Sequence, residues 1–325
     1  MRLLRDHLII NHRGFVKPVR NALMTMGLSI VDEAWQPSEE LLSRSLACHV
    51  WFYDCLRHPW KIFRLKQRLQ RHGVPLLAWN RDAPHYLNRR PWRLDLLDRF
   101  KLLDIYASHS LIDRRRFAPT VLYLPNAADQ ESYHLAGETE IVFNRLRNPD
   151  TYRYDVSFFG GMTGARYKED EDRERFFAAL SQRLSALGLR FIFCEAAEMS
   201  VSEQIRLIQE SRINLNYGAR CEYRASRASG LPERCYGIPA CGGFLLCDRR
   251  THARDDFTPG INWAEFDGLD DCVDKIVYWL AHFELARDLA ERCHRHVMTQ
   301  HTYAHRAQTL HQALLDWHRQ HKDAT

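Results

Sequence analysis

The chain has 325 residues, 45% of them hydrophobic and 27% charged, with a formal net charge of +5. This length suits two globular domains, and the composition excludes a disordered chain. No segment approaches the roughly 20 apolar residues of a membrane helix, and the first residues do not form a signal peptide. We therefore expect a cytoplasmic protein without stable membrane insertion.

The first part of the chain alternates strand-like and helical patterns. Helical spacing runs over 16–27 and 56–73, and each of these segments ends at a glycine. Apolar runs typical of strands are HLIIN (7–11), LSIVD (28–32), ACHVWFY (47–53), VPLLAW (74–79), LLDIYAS (102–108) and TVLYLP (120–125). Strands that alternate with helices predict a parallel sheet with helices on both faces.

A second alternation follows 127–152, a polar stretch that is typical of an interdomain linker. Its strand-like runs are 155–160, 189–194, 212–217 and 243–248, and its helical runs are 168–187, 200–210, 232–241, 271–283, 284–298 and 305–320. We predict an N-terminal domain over 1–135, a second domain over 136–304, and a final helix over 305–325. Two such domains leave a cleft at the carboxyl ends of their strands, where ligands bind.

The segment DVSFFGGMTGAR (155–166) is the first candidate site. Here a strand leads into Gly160 and Gly161, with Arg166 ahead of a helix. Glycines let the backbone approach phosphate oxygens, and arginine pairs well with a diphosphate. A tight strand-to-helix turn accounts for the same residues. The Lys-Ser/Thr of an ATPase phosphate loop is missing.

Several other segments share a pattern with one family. RCYGIPACGGFLLCD (234–248), FTPG (257–260) and QHTYAHRAQTL (300–310) resemble the C-terminal region of the CgeB-like glycosyltransferases, named after a spore-maturation protein. YLPNAAD (123–129) resembles the end of that family's N-terminal domain, and DVSFFGG resembles the first strand of its donor domain. The resemblance covers about 123–310, and it extends only by strand order over 1–122.

The resemblance implies a hexosyltransferase with the GT-B fold. In that fold two Rossmann-like domains face each other across a cleft. The second domain binds a nucleotide diphosphate sugar, the first binds the acceptor, and the final helix crosses back onto the first domain. Arg234 matches a position that binds the diphosphate. Tyr217 and Gly218 close a strand at the cleft, and Glu195 lies where such folds contact the donor base.

One position departs from the family pattern. Gly237 stands where the family usually has a glutamate that accepts hydrogen bonds from the donor ribose. Glu233 lies four residues earlier, on the same face of a regular helix, and is the candidate replacement. Otherwise donor choice is unusual or activity is lost.

The N-terminal domain offers three candidate bases for deprotonating an acceptor hydroxyl. Asp82 follows the strand VPLLAW and is the main candidate, as expected for an inverting enzyme. His12 and His85 also follow strands and are the alternatives. A turn residue ahead of Pro84 is the other interpretation of Asp82.

We expect neither a metal ion nor a cofactor besides the nucleotide-sugar donor. The acidic run Asp170-Glu171-Asp172 opens a helix, where acids favour the positive end of the helix dipole. The first strand lacks the GxGxxG pattern of nicotinamide and flavin enzymes. The nine cysteines form no CxxC motif and are typical of reduced core residues.

Three functions therefore follow from the sequence, in this order. The first is metal-independent transfer of a sugar to a glycan, a protein, a small molecule or modified DNA. The second is a non-catalytic nucleotide-sugar or glycan-binding protein with a degenerate donor site. The third is a nucleic-acid-binding protein, since RRPWR (89–93) and RRRF (114–117) interleave arginine with aromatic residues.

Overall fold

A computed structural model describes residues 7–33, 35–81, 91–112, 115–162, 170–218 and 228–321. The chain divides into two compact units, one formed by 1–125 with 303–325 and the other by 126–302. Residues 126–135, which the sequence analysis placed in the first domain, therefore make their contacts in the second unit.

The first unit is a parallel α/β sheet of six strands in the order β2-β1-β3-β4-β5-β6. Its strands are β1 (Leu8–Asn11), β2 (Ser29–Asp32), β3 (Ser45–Val50), β4 (Leu76–Asn80), β5 (Ile105–Ser108) and β6 (Thr120–Tyr123). Its helices are α1 (Lys17–Thr25), α2 (Glu39–Arg44), α3 (Phe52–Arg57), α4 (Pro59–Arg71), α5 (Pro91–Phe100) and α13 (Tyr303–Gln320).

The helices of this unit cover both faces of the sheet. One core includes apolar side chains from α2, α3, α4 and α5 and from strands β1, β3, β4 and β5. Helices α1 and α13 pack against each other. The chain moves along the sheet in one direction from β1 to β2 and in the opposite direction from β3 to β6. Because crossovers between parallel strands are right-handed, α1 lies on the face opposite to α3, α4 and α5.

The second unit is a parallel sheet of five strands in the order β11-β10-β9-β7-β8. Its strands are β7 (Tyr154–Gly160), β8 (Phe191–Glu195), β9 (Ser211–Asn216), β10 (Leu245–Asp248) and β11 (Ala264–Phe266). Its helices are α6 (Thr139–Leu146), α7 (Asp170–Ala186), α8 (Val201–Gln209), α9 (Arg234–Ala240), α10 (Ala253–Asp256), α11 (Gly268–Ala281) and α12 (Phe283–Gln300).

Three segments differ from the sequence-based prediction. The strand predicted over 47–53 ends at Val50, and the aromatic residues that follow it begin α3. The helix predicted over 56–73 is two helices, because Pro59 starts a new one after His58. The predicted linker over 127–152 contains α6, whose apolar face packs into a small core of its own.

Most of the described cysteines lie in the cores, as the sequence predicts. The eight cysteines that the structure describes are unpaired, and seven of them are buried.

Candidate functional site

The candidate residues of the second unit collect at the carboxyl edge of its sheet. Gly160 ends β7 beside Glu195, its register partner at the end of β8. Tyr217 and Gly218 follow β9 directly, and Asp248 ends β10. The carboxyl edge is where open α/β sheets bind ligands. The sheet therefore brings together residues that are far apart in the sequence.

Arg234 begins α9 and extends across this edge. Its Nε and Nη2 atoms donate to Asn216 Oδ1 at 3.0 and 2.9 Å, and its Nη1 donates to the Phe159 carbonyl oxygen at 2.6 Å. Its guanidinium carbon lies 4.7 Å from the centre of the Phe158 ring. A guanidinium has five N–H donors, and these bonds use three of them while fixing its plane.

Gly160 makes room for this arginine. A Cβ atom at Gly160 would lie 2.6 Å from Arg234 Nη1 and 2.7 Å from Phe158 Cζ. The sequence alone indicates a close approach by a phosphate at this glycine. In the structure the close approach is made by the side chain of Arg234, so Gly160 serves the site by positioning that side chain.

The surroundings of Arg234 favour an anion. Burial and the nearby positive charge of Arg173 lower the pKa of Arg234 to about 10, and Arg250 acts in the same direction. At neutral pH the side chain is therefore charged, but its charge is poorly compensated. A bound phosphate would supply the missing negative charge.

A second arginine, Arg250, is held by Asp248. Its Nε and Nη2 atoms donate to the two carboxylate oxygens at 3.0 and 3.1 Å, and its Nη1 donates to the Gly230 carbonyl oxygen at 2.6 Å. Burial opposes the charge of Arg250, but the Asp248 carboxylate outweighs it and raises the pKa of Arg250 above its ordinary value. Asn216 Nδ2 donates to the same carboxylate at 2.8 Å, which links the two arginines.

Gly218 is required by this second arginine. A Cβ atom at Gly218 would lie only 1.5 Å from Arg250 Nη2. The Gly218 amide also donates to Asp248 Oδ2 at 3.2 Å. Gly160 and Gly218, at the ends of β7 and β9, therefore each lie against a guanidinium.

Glu195 and Arg173 hold the chain that follows β7. Glu195 Oε2 accepts the Met162 amide hydrogen at 2.7 Å, and Arg173 Nη1 donates to the Gly161 carbonyl oxygen at 2.7 Å. These bonds orient the start of the predicted phosphate-binding loop. Arg166, the basic residue predicted for that loop, lies outside the described residues.

Tyr217 places its ring in an aromatic stack. The ring lies parallel to that of Phe176, with centroids 3.8 Å apart, and the nearly parallel ring of Phe266 lies beside the pair, 5.9 Å from Phe176 and 6.4 Å from Tyr217 between centroids. The ring of Tyr217 therefore packs on the core, just beyond the end of β9.

Solved structures share this architecture over nearly the whole chain. Sucrose-phosphate synthase from Thermosynechococcus elongatus is 12% identical with a TM-score of 0.63, covering 98% of this chain and 99% of that one. HepE from Anabaena in complex with UDP is 12% identical with a TM-score of 0.58, covering 95% and 99%. A glycosyltransferase from Rickettsia africae is also 12% identical with a TM-score of 0.58, covering 97% and 99%.

The chain has a GT-B fold. This confirms the predicted fold class of two Rossmann-like parallel sheets with helices. Residues 162–312 also match the model of a family described as glycosyl transferase-like. The matched segment covers most of the second GT-B unit. No curated protein matches the sequence significantly.

Tyr133 covers the position where the sequence departs from the CgeB-like pattern. A Cβ atom at Gly237 would lie 3.7 Å from Tyr133 Cγ, in ordinary contact with the ring. The Tyr133 hydroxyl donates to Gln204 Oε1. Burial and then the negative charge of Glu233 raise the pKa of Tyr133. The Tyr133 ring therefore borders the space that a side chain at Gly237 would enter.

Glu233 is exposed and directly precedes α9. If Glu233 replaces the family glutamate, Glu233→Ala should weaken nucleotide binding by about 1.5–3 kcal/mol, the range for a hydrogen bond to a charged group. Isothermal titration with a nucleoside diphosphate measures this change. Glu140→Ala, on the exposed side of α6, is the matched control and should bind normally. Equal affinity of Glu233→Ala and wild type would remove Glu233 from the site.

The first GT-B unit has its own polar cluster, after β1. Arg13 donates through Nε and Nη2 to the two carboxylate oxygens of the buried Asp54. His12 Nε2 lies 3.6 Å from Asp54 Oδ2, and its ring packs on Trp35 with centroids 3.8 Å apart. Burial lowers the pKa of His12 more than the Asp54 carboxylate raises it, so the imidazole is neutral at pH 7. A neutral imidazole is able to accept a proton.

The other two candidate bases, Asp82 and His85, lie outside the described residues. Within the described ranges, no group of three or more His, Cys, Asp or Glu side chains is arranged to hold a metal ion. In the same part of the chain, no helix combines the length and the apolar character needed to cross a membrane.

Several residues of the site are not evident from the sequence. Asn216 and Asp248 end their strands as polar residues after apolar runs, and that position was the available signal. Arg250 lies two residues after Asp248. Nothing in the sequence indicates that Arg173 or Tyr133 approaches this edge, because those contacts depend on how the helices and the segment before α6 pack.

Proposed function

We propose that the chain is a glycosyltransferase that moves a hexose from a nucleotide diphosphate sugar to an acceptor hydroxyl. The observation that carries this proposal is the arginine pair at the carboxyl edge of the second sheet, Arg234 and Arg250, on a fold shared with glycosyltransferases. The sequence match over 162–312 supports the same activity. The motifs after β6 and in α9 support a CgeB-like enzyme within that group.

The donor diphosphate binds at Arg234 in this proposal. When the bond from the sugar to the diphosphate breaks, the leaving group gains negative charge. A fixed guanidinium stabilises that charge without having to reorganise during the reaction. Arginine also matches the geometry of phosphate oxygens through paired N–H donors. In this proposal Arg234 and Arg250 take the role that a divalent metal has in other transferases. We therefore propose metal-independent transfer.

A uridine nucleotide is the first donor to test. HepE has been solved in complex with UDP and with UDP-glucose. In our proposal the equivalent nucleotide lies against the segment after β7, which Glu195 orients, with its ribose near Glu233. Tyr217 and Gly218 border the same edge.

The acceptor hydroxyl loses its proton to a base of the first unit. We propose Asp82 as this base and inversion as the stereochemical course, with the sugar passing directly from the diphosphate to the acceptor oxygen. His12 and His85 are the alternative bases. For His12 the support is the buried Asp54 carboxylate, which would stabilise the imidazolium formed when His12 accepts a proton. The acceptor is a glycan, a protein, a small molecule or modified DNA.

One observation favours a second function, a nucleotide-sugar-binding protein without catalysis. Tyr133 fills the space beside Gly237, where the CgeB-like pattern has its ribose-binding glutamate. The two functions differ in turnover. A transferase consumes UDP-glucose, slowly by hydrolysis and faster with an acceptor, whereas a binding protein returns it unchanged.

Calorimetry tests the donor site directly. We expect at least one of UDP, GDP, CDP and dTDP to bind. Its affinity should be the same with and without EDTA. Arg234→Lys should weaken the binding by at least about tenfold, because lysine keeps the charge but loses the paired donors. Arg183→Lys, on the exposed side of α7, is the control. Binding that disappears with EDTA, or that ignores Arg234→Lys, would contradict the proposed site.

A further inference from the structure

Two helices of the first unit, α4 and α5, expose an unusual number of large apolar side chains. Trp60 is 77% exposed and Phe100 is 66% exposed. We call the set the α4–α5 surface, and its apolar members are Trp60, Phe63, Trp92, Leu96 and Phe100. Single exposed apolar residues are normal, but a contiguous group marks an interaction surface.

These side chains are not needed by the core of the unit. Helix α4 buries Ile62, Leu65 and Leu69, which supply its contact with the sheet. On α5, Leu94 and Leu97 do the same. The exposed residues of α5 recur at intervals of four, at 92, 96 and 100, so they form one outward stripe.

Both helices lie on one face of the sheet, where their buried residues join the same core. Helices α3 and α4 connect β3 to β4, and α5 connects β4 to the adjacent strand β5. Right-handed crossovers between successive parallel strands place these helices on the same face. Both α4 and α5 contact α3. The exposed apolar residues of α4 and α5 therefore lie on the same side of the unit.

Helix α4 adds positive charge to this surface. Its sequence PWKIFRLKQRLQR contains five basic residues and no acidic one. Lys66 pairs with Asp104 and Arg68 pairs with Glu39, whereas Lys61, Arg64 and Arg71 are exposed. Exposed cations thus lie beside exposed tryptophan and phenylalanine. On α5 the charges are balanced, and Asp95 and Asp98 are paired with basic residues.

We propose that the α4–α5 surface binds the surface of an anionic lipid bilayer. Tryptophan and phenylalanine insert at the level of the headgroups, and lysine and arginine attract anionic lipids. This binding is peripheral and needs no helix that crosses the membrane. It does not depend on the proposed transferase activity, because it uses other residues of the first unit and is measured without a donor.

A second copy of the chain fits this surface less well. A symmetric dimer would place the same surface of each copy against the other. The exposed Lys61, Arg64 and Arg71 of one copy would then approach those of its partner without compensating acids on α4. Like charges brought together at an interface oppose association. Charge therefore favours an anionic partner over a second copy.

Vesicle co-sedimentation of the full chain tests the proposal. We expect binding to vesicles of phosphatidylglycerol and phosphatidylcholine, little binding to phosphatidylcholine alone, and weaker binding as salt rises. The partition coefficient should fall by at least about tenfold in Trp60→Ser/Phe63→Ser and in Arg64→Gln/Arg71→Gln. Melting temperatures should stay near that of the wild type, since the replaced side chains are exposed.

Two matched variants act as controls. Lys17→Gln/Arg319→Gln removes the same charge from α1 and α13, and Ile261→Ser/Leu187→Ser removes exposed apolar residues of the second unit. Both should bind vesicles like the wild type. The proposal is overturned by absence of binding to anionic vesicles, by equal loss in variant and control pairs, or by a dimer that Trp60→Ser/Phe63→Ser dissociates while vesicles remain unbound.

Discussion

Replacing Asp82 by asparagine should lower the turnover of UDP-glucose or another accepted donor by at least about 100-fold, the contribution typical of a general base. Asparagine keeps the shape of the side chain and most of its hydrogen bonds but removes the basic oxygen. Donor affinity should stay within about threefold, because the donor is held by the second unit in our proposal. Steady-state kinetics and calorimetry on the same samples separate the two effects.

The alternative bases supply the comparison. His12→Gln and His85→Gln, assayed in parallel, should retain most of the turnover if Asp82 is the base. A large loss in His12→Gln with Asp82→Asn unaffected would transfer the role to the pair of His12 and Asp54. Analysis of the product provides an independent check, since retention of the donor's anomeric configuration would exclude a mechanism of single inversion for either base.

Replacing Arg250 by methionine should lower the free energy of unfolding by about 3–5 kcal/mol, the cost of breaking a buried ion pair on one side. Arg250 is only 3% exposed, and its loss leaves the Asp248 carboxylate without its strongest partner. Urea denaturation measures the change as a shift of the midpoint at constant slope.

The neighbouring residue is a close control for this effect. Arg249→Met removes an arginine that is paired with Glu265 and Asp267 at the surface, and such pairs contribute about 1 kcal/mol or less. Adding Asp248→Leu to Arg250→Met should cost less than the sum of the single changes, because the unpaired carboxylate is then removed. Equal losses of unfolding free energy in Arg249→Met and Arg250→Met would show that the buried pair stabilises the fold no more than a surface pair.

The order of strands and helices was largely predictable from local patterns. Runs such as HLIIN and RINLNY are short, apolar and bounded by polar residues, and parallel strands buried on both faces require that composition. The errors occurred where one local pattern suits two structures. The aromatic run after Val50 has the composition of a strand, yet it begins α3, because tertiary packing overrides propensity in so short a segment.

The candidate site was predictable in place but not in its contacts. Residues at strand ends, such as Gly160 and Glu195, were correctly expected at the carboxyl edge of a sheet. The role of the glycines was not, since a glycine beside a phosphate and a glycine beside a guanidinium look alike in sequence. Hydrogen bonds link Arg234 through Asn216 to Asp248, and these residues are distant along the chain. No periodic pattern in the sequence indicates such a contact.

Helix α13 has a consequence for the order in which the protein is made. It belongs to the first unit, where it packs on α1 and His318 Nε2 contacts the Leu46 carbonyl oxygen at 2.7 Å, yet the whole second unit precedes it in the chain. During synthesis the first unit waits roughly ten to forty seconds for its last helix at ordinary translation rates. Until then the apolar side of α1 remains open to solvent or to a chaperone, while the second unit is already able to close on its own contacts.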